Sequence, residues 1–118
     1  MAKEYSPVDE VAWQRKWDEA QIFECGIRED RPKFYCLEMY PYPSGKMHMG
    51  HVRNYSIGDA VARYKRMMGF DVLYPIGFDS FGMPAENAAM DEGGHPYDIT
   101  ERNMASITQQ IKRMGFSY

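Results

Sequence analysis

Two histidines three residues apart, His48 and His51, bracket Met49 and Gly50 directly after a proline- and glycine-rich run, Pro41-Tyr42-Pro43-Ser44-Gly45. An apolar segment precedes that run and a helical pattern follows it, so the pair is expected where a strand turns into a helix. Unsatisfied backbone N–H groups and the helix dipole favour an anion at such a turn. Two imidazoles over the same turn would add donors, and Gly50 removes a side chain where a ligand must come close to the backbone. A nucleotide phosphate suits that chemistry. Helix capping suits the same spacing, and the residues alone leave both readings open. Asp79, in Gly77-Phe78-Asp79-Ser80-Phe81-Gly82, offers a carboxylate that could pair with a substrate ammonium group or close an Asx turn. Glu86, just after Pro84, can equally complement the dipole of its own helix. Ser44-Gly45-Lys46 is not a P-loop, because Tyr40 stands where the first glycine is required. No third ligand lies at useful spacing from His48 and His51, and His95 is isolated, so no metal site is expected.

The elements that must position these groups follow from capping signals and periodicity. Ser6 before Pro7 predicts a helix through about residue 21 that carries Val11, Trp13, Trp17 and Ala20. Residues 22–32 read as a loop. Lys33 to Met39 reads as a buried strand, ended by Pro41 and Pro43, which cannot donate to a ladder. A helix is expected from Met49 or Gly50 to Met68, with Ile57, Ala60, Val61, Tyr64, Met67 and Met68 on its apolar face and Asp59, Arg63 and Arg66 opposite. Gly69 would cap it. Arg63, Lys65 and Arg66 read as a solvated face, and Met67, Met68, Met104 and Met114 as core filler. Phe70 to Pro75 predicts a second strand, and Pro84 a short helix ending before Gly93-Gly94. Asp98-Ile99-Thr100-Glu101 resembles a capping box opening a last helix lined by Met104, Ile107, Ile111 and Met114 and closed by Gly115.

The resulting order is helix, strand, helix, strand, helix, helix. It contains one right-handed βαβ unit between residues 33 and 75. The expected class is α/β, the first part of a Rossmann-like fold with an incomplete parallel sheet and flanking helices. Parallel sheets want both faces covered and more strands than two. The chain is therefore expected to be the N-terminal piece of a longer protein, with residues 1–32 leading into a domain that begins at 33. Its last residues are expected to end without a closing element.

Composition narrows the classes. The chain has 118 residues, with 14 Lys plus Arg against 17 Asp plus Glu and a formal charge of −3, which excludes binding to nucleic acid through bulk positive charge. Hydrophobic residues make up 44% and aromatics 14%, too many for intrinsic disorder. No apolar run approaches the roughly 18 residues of a membrane span, and the start lacks a secretory signal pattern. Cys25 and Cys36 fit neither a disulfide framework nor a zinc site. A soluble cytoplasmic chain, without membrane or DNA partners, is expected.

His48-Met49-Gly50-His51 resembles the HIGH signature of class I aminoacyl-tRNA synthetases. Met39-Tyr40-Pro41-Tyr42-Pro43-Ser44-Gly45 before it, Val52-Arg53-Asn54-Tyr55 after it, and the block from Gly77 to Glu86 are similar to the leucyl-tRNA synthetase family. Isoleucyl and valyl enzymes typically carry Cys-His where this chain has Ser80-Phe81, and they lack the Pro-Tyr-Pro-Ser-Gly run. Phe78 and Met83 stand where that family usually has Trp and Leu. The resemblance implies a nucleotide-binding domain of the HUP type and ATP contacts from His48, Gly50, His51, Pro41 and Tyr42. The two histidines would serve as catalytic donors to the charge that develops at phosphate. It further implies a leucine pocket of Met39, Tyr40 and Tyr42, with Asp79 on the ammonium group. ATP would arrive with Mg2+, and tRNA(Leu) would meet the parent enzyme. The Lys-Met-Ser-Lys-Ser signature, an editing domain and an anticodon-binding bundle are missing from these residues. The parent is therefore expected to activate leucine and charge tRNA, whereas the chain alone binds weakly and turns over little. Other large apolar amino acids, a non-catalytic nucleotide-binding fragment and an interaction fragment that needs a second chain to complete its sheet are the alternatives.

Overall fold

A computed structural model describes residues 5–118. Six elements follow in order: α1 (Pro7–Glu19), β1 (Lys33–Tyr35), α2 (Met49–Met67), β2 (Asp71–Leu73), α3 (Met83–Glu92) and α4 (Pro96–Arg113). Strands β1 and β2 pair in parallel, with Phe34 opposite Val72 and α2 as the crossover. The α/β class and the βαβ unit are thus as expected. The strands are shorter. The ladder extends only by Asp71 N to Pro32 O and Cys36 N to Leu73 O, each 2.9 Å, because past Tyr35 the chain must turn through Pro41 and Pro43. The radius of gyration is 17.0 Å, against roughly 13.5 Å for a closed domain of this length. Two strands do not gather these helices around one centre.

The helix caps follow local chemistry. Ser6 accepts from Val8 N at the start of α1, and the helix ends at Glu19 rather than near 21. None of its residues is buried, so the expected packing stripe of Val11, Trp13, Trp17 and Ala20 does not form one. Trp17 alone leans on Phe23, 5.6 Å between ring centroids. Helix α3 stops at Gly93, whose φ of +69° is the left-handed conformation that glycine adopts without strain. Helix α4 opens two residues earlier than the Asp98 signal suggested. Pro96 needs no N–H partner in the first turn, and His95 caps it by accepting from Tyr97 N at 3.2 Å.

Helix α2 overturns an expectation. Its buried residues are Tyr55, Gly58, Asp59 and Ala62, at positions i, i+3, i+4 and i+7. The predicted apolar face lies outside: Ile57, Val61, Tyr64, Met67 and Met68 are exposed, Met67 by 85%. Small residues explain the choice. A Cβ on Gly58 would collide with the Glu38 carboxyl and sit 2.9 Å from the Tyr74 hydroxyl, so only this strip lets the helix approach the sheet. Ala62, Val72 and Tyr74 form the core, flanked by Phe34, Cys36, Phe70 and Tyr118.

The basic run of α2 is the second correction. Gly115, at φ +68°, turns the chain so that Phe116–Tyr118 fold back against α2. The Tyr118 ring lies 4.5 Å from that of Tyr74. Asp59 Oδ1 accepts from both the backbone N and the hydroxyl of Ser117 at 2.6 Å. Its other oxygen accepts from Arg63 Nε at 2.7 Å. Arg63 also donates to Gly115 O and Arg66 to Ser117 O and Oγ, while Lys65 sits over the rings of Phe34 and Phe70. The basic run is therefore a clamp on the tail and not a solvated face. Of the four methionines read as core, Met67, Met68 and Met114 are exposed, and Met104 is half-buried with the Ser80 hydroxyl 3.3 Å from its sulfur.

Candidate functional site

The chain leaving β1 runs from Leu37 to Met47 without a strand partner, and four of its backbone groups are bonded one at a time by other elements. Tyr55 of α2 donates its hydroxyl to Met39 O at 3.0 Å. Asp79 N donates to Pro41 O at 3.1 Å. Asn103 of α4, buried, donates to Pro43 O at 2.9 Å, and Gln110 accepts from Met47 N at 3.2 Å. These four tethers pair backbone groups that no ladder reaches. Asn103 and Gln110 gave no motif signal in the sequence, because each acts on a backbone atom far along the chain, and Tyr55 stood in a recognised block without a role assigned to it.

This loop and the loop after β2 enclose a cleft of about 510 Å3 lined by Tyr35, Leu37, Glu38, Met39, Tyr40, Tyr42, Phe78 and Asp79. Met39, Tyr40, Tyr42 and Asp79 are thereby brought together at the carboxyl ends of both strands, where ligands of open α/β sheets bind. A Cβ on Gly77 would come within 3.1 Å of the Tyr40 ring, so this glycine lets the aromatic wall close against the Asp79 loop. Asp79 itself is exposed at the mouth. Pro41 is buried, so its part is to hold the loop through its carbonyl. Tyr35, Leu37 and Glu38 are cleft residues not singled out in the sequence, and Glu38 is the one ionisable group among the three that is not a phenol. Burial raises its carboxyl above the usual range.

The histidines stand at the start of α2 and are absent from the cleft lining. His48 is its N-cap, Nδ1 accepting from Gly50 N at 3.1 Å, and His51 Nδ1 accepts in turn from His48 N at 3.2 Å. The rings lie 4.0 Å apart. Capping and ligand binding are therefore compatible. An imidazole whose Nδ1 accepts keeps its proton on Nε2 when neutral, so both rings retain a donor for a ligand. Burial, then the neighbouring His48, pushes the His51 pKa down, which favours the neutral form. A Cβ at Gly50 would press on the His48 ring at 2.9 Å, so the glycine clears space for the cap itself. Glu86 lies exposed in the first turn of α3. Among the described residues no group of three or more His, Cys, Asp or Glu could hold a metal ion, and no helix is long and apolar enough to cross a membrane.

Comparison with known proteins bears on this arrangement. The family profile described as tRNA synthetases class I (M) matches residues 35–118. The chain belongs to the class I tRNA synthetases. Within that class the curated relatives are leucine–tRNA ligases. That of Nitratidesulfovibrio vulgaris strain DP4 is 59% identical over 109 residues, covering 92% of this chain. That of Thermotoga maritima is 55% identical over 117 residues, covering 98%. The chain spans 13% of the first and 14% of the second. A solved ternary complex of Agrobacterium radiobacter K84 agnB2 LeuRS with tRNA and LeuAMS superposes with a TM-score of 0.93 at 46% identity, over 98% of this chain and 15% of that one. Mycobacterium tuberculosis methionyl-tRNA synthetase, in complex with methionyl-adenylate, reaches 0.71 at 28% identity over 74% of this chain and 17% of that one. The family profile carries the methionyl letter, yet the sequence stands much nearer the leucine ligases. The small parallel sheet with flanking helices thus matches part of the class I synthetase catalytic domain.

Proposed function

We propose that this chain is the first part of the catalytic domain of a leucine–tRNA ligase, holding the amino-acid cleft and one half of the ATP site. The observation that carries the reading is the convergence of Met39, Tyr40, Tyr42 and Asp79 on one cleft, in a chain 55–59% identical to such ligases. In this reading Asp79 pairs with the leucine ammonium group at the cleft mouth, and Met39, Tyr40 and Tyr42 receive the side chain. His48 and His51 direct their Nε2 donors to the phosphates of ATP, Gly50 allows close approach, and Tyr42 borders the nucleotide on the loop that the buried Pro41 holds. Magnesium enters with ATP as part of the substrate. A leucine carboxylate oxygen attacks the α-phosphorus, a new P–O bond forms, and the bond to the pyrophosphate oxygen breaks. These residues promote that step by positioning and by stabilising charge as it develops. Transfer to tRNA(Leu) belongs to the parent enzyme. A cleft of this kind separates leucine from an amino acid that differs by one methylene by only about 1–3 kcal/mol.

Calorimetric titration of the chain with a non-hydrolysable leucyl-adenylate analogue tests the reading. Leucine-selective binding, weakened at least tenfold by Asp79→Asn and by His48→Ala with His51→Ala, is expected. Equal affinity for the isoleucyl analogue, or binding indifferent to those changes in a folded chain, would refute the assignment. In an exchange assay the isolated chain should turn over less than a tenth as fast as the full-length protein.

A further inference from the structure

The cleft and the histidine pair belong to different elements, and one side chain touches both. Tyr55 lies one turn beyond His51 on α2 and is 1% exposed. Its ring lies 5.8 Å from the His51 ring, inclined by 33°. Phe116 and Tyr118 wall its other sides edge-on, at 6.2 and 6.1 Å. The Tyr74 hydroxyl donates to its backbone oxygen. The phenol thus has one orientation, and in it the hydroxyl meets Met39 O at 3.0 Å. Met39 stands beyond the last ladder bond of β1, where no strand supplies a donor to its carbonyl. Without that bond the segment carrying Met39 and Tyr40 is tied next at Pro41.

We propose that Tyr55 is a positioning residue of the activation reaction, whose ring backs His51 while its hydroxyl fixes the Met39 wall of the amino-acid cleft, so that the two half-sites keep one register. The inference rests on the function proposed above. It predicts that the ring and the hydroxyl act on different substrates. Tyr55→Phe keeps the ring and removes the hydroxyl, so the cleft wall loosens while His51 stays in place. Tyr55→Leu removes both.

The test is leucine-dependent exchange of pyrophosphate into ATP by the full-length protein carrying this chain. Tyr55→Phe should raise the KM for leucine about tenfold, equivalent to about 1.4 kcal/mol, the size expected of one buried hydrogen bond. The KM for ATP should stay within twofold. Tyr55→Leu should raise the ATP KM as well and lower kcat. Melting temperatures of both variants identify mere loss of fold. A Tyr55→Phe enzyme unchanged in both constants, or shifted by one common factor in both, overturns the positioning role. Unsubstituted protein that exchanges pyrophosphate with no dependence on leucine overturns the proposed function and the inference with it. The two failures are therefore told apart by the unsubstituted control.

Discussion

The two faces of α2 invert the ordinary relation between polarity and burial. The face toward the sheet carries a tyrosine, a glycine, an alanine and a carboxylate, Asp59, and is covered. The opposite face carries Ile57, Val61, Tyr64 and Met67 and is bare. Burial here follows what a small sheet can accept at close range: residues without bulk, at Gly58 and Ala62, and polar groups with partners already in place. Asp59 is buried because Ser117 and Arg63 satisfy both its oxygens. Apolar periodicity identifies a stripe that wants cover. It does not say whether the sheet at hand supplies it.

The largest expected effect comes from breaking the polar face. Asp59→Ala leaves Arg63 without its carboxylate and Ser117 N without an acceptor, and should lower the free energy of unfolding by about 3 kcal/mol, read from urea denaturation. A loss below about 1 kcal/mol would mean that the tail clamp contributes little. Ala62→Leu, at a position with 0% exposure, should cost about 2 kcal/mol through overpacking against Val72 and Tyr74. Tolerance of leucine there would show that α2 can stand off the sheet.

Glu38 sharpens the comparison through pH. Desolvation raises its pKa in the folded chain, so the folded state holds a proton that the unfolded state has released. Stability should accordingly fall as pH rises from the ordinary carboxylate range through the raised pKa. Glu38→Gln should raise the melting temperature at neutral pH by a few degrees and flatten that slope. His51 has the opposite sign. Its pKa is lowered, so its contribution is full above the ordinary histidine range and fades as pH falls below it. Thermal melts of Glu38→Gln and His51→Gln across pH 4–8 check both signs. The smallest effect belongs to the bare face. Ile57→Ser with Val61→Lys should change stability by less than about 0.5 kcal/mol in this chain. A loss above about 1 kcal/mol would show that another surface covers it.

Much of the site was legible because it is local. The turn from Pro41 to His51 and the loop around Asp79 are short runs whose glycines, prolines and polar residues dictate their own backbone. Their resemblance to one synthetase family is a property of contiguous sequence. What holds those runs together was not legible. Asn103 bonds a carbonyl sixty residues away and Gln110 an amide sixty-three residues away, and neither spacing has a local signature. The same holds for Gly58, which in sequence is one more helical glycine and in space is the point of closest approach between α2 and Glu38.

The sequence by itself determined the element order, the caps at Ser6 and Gly93 and the α/β class, since propensity and turn chemistry act over a few neighbouring residues, while Met39, Tyr40 and Tyr42 were pointed to by the family resemblance of a contiguous run. The tertiary structure decided which face of α2 is buried, that Arg63 and Arg66 grip the tail, that α1 stays outside the core, and that Tyr55 ties Met39 O to the start of α2 beside His51. Those outcomes depend on which surfaces meet, and that is set by packing volume and by hydrogen-bond partners distant in the chain.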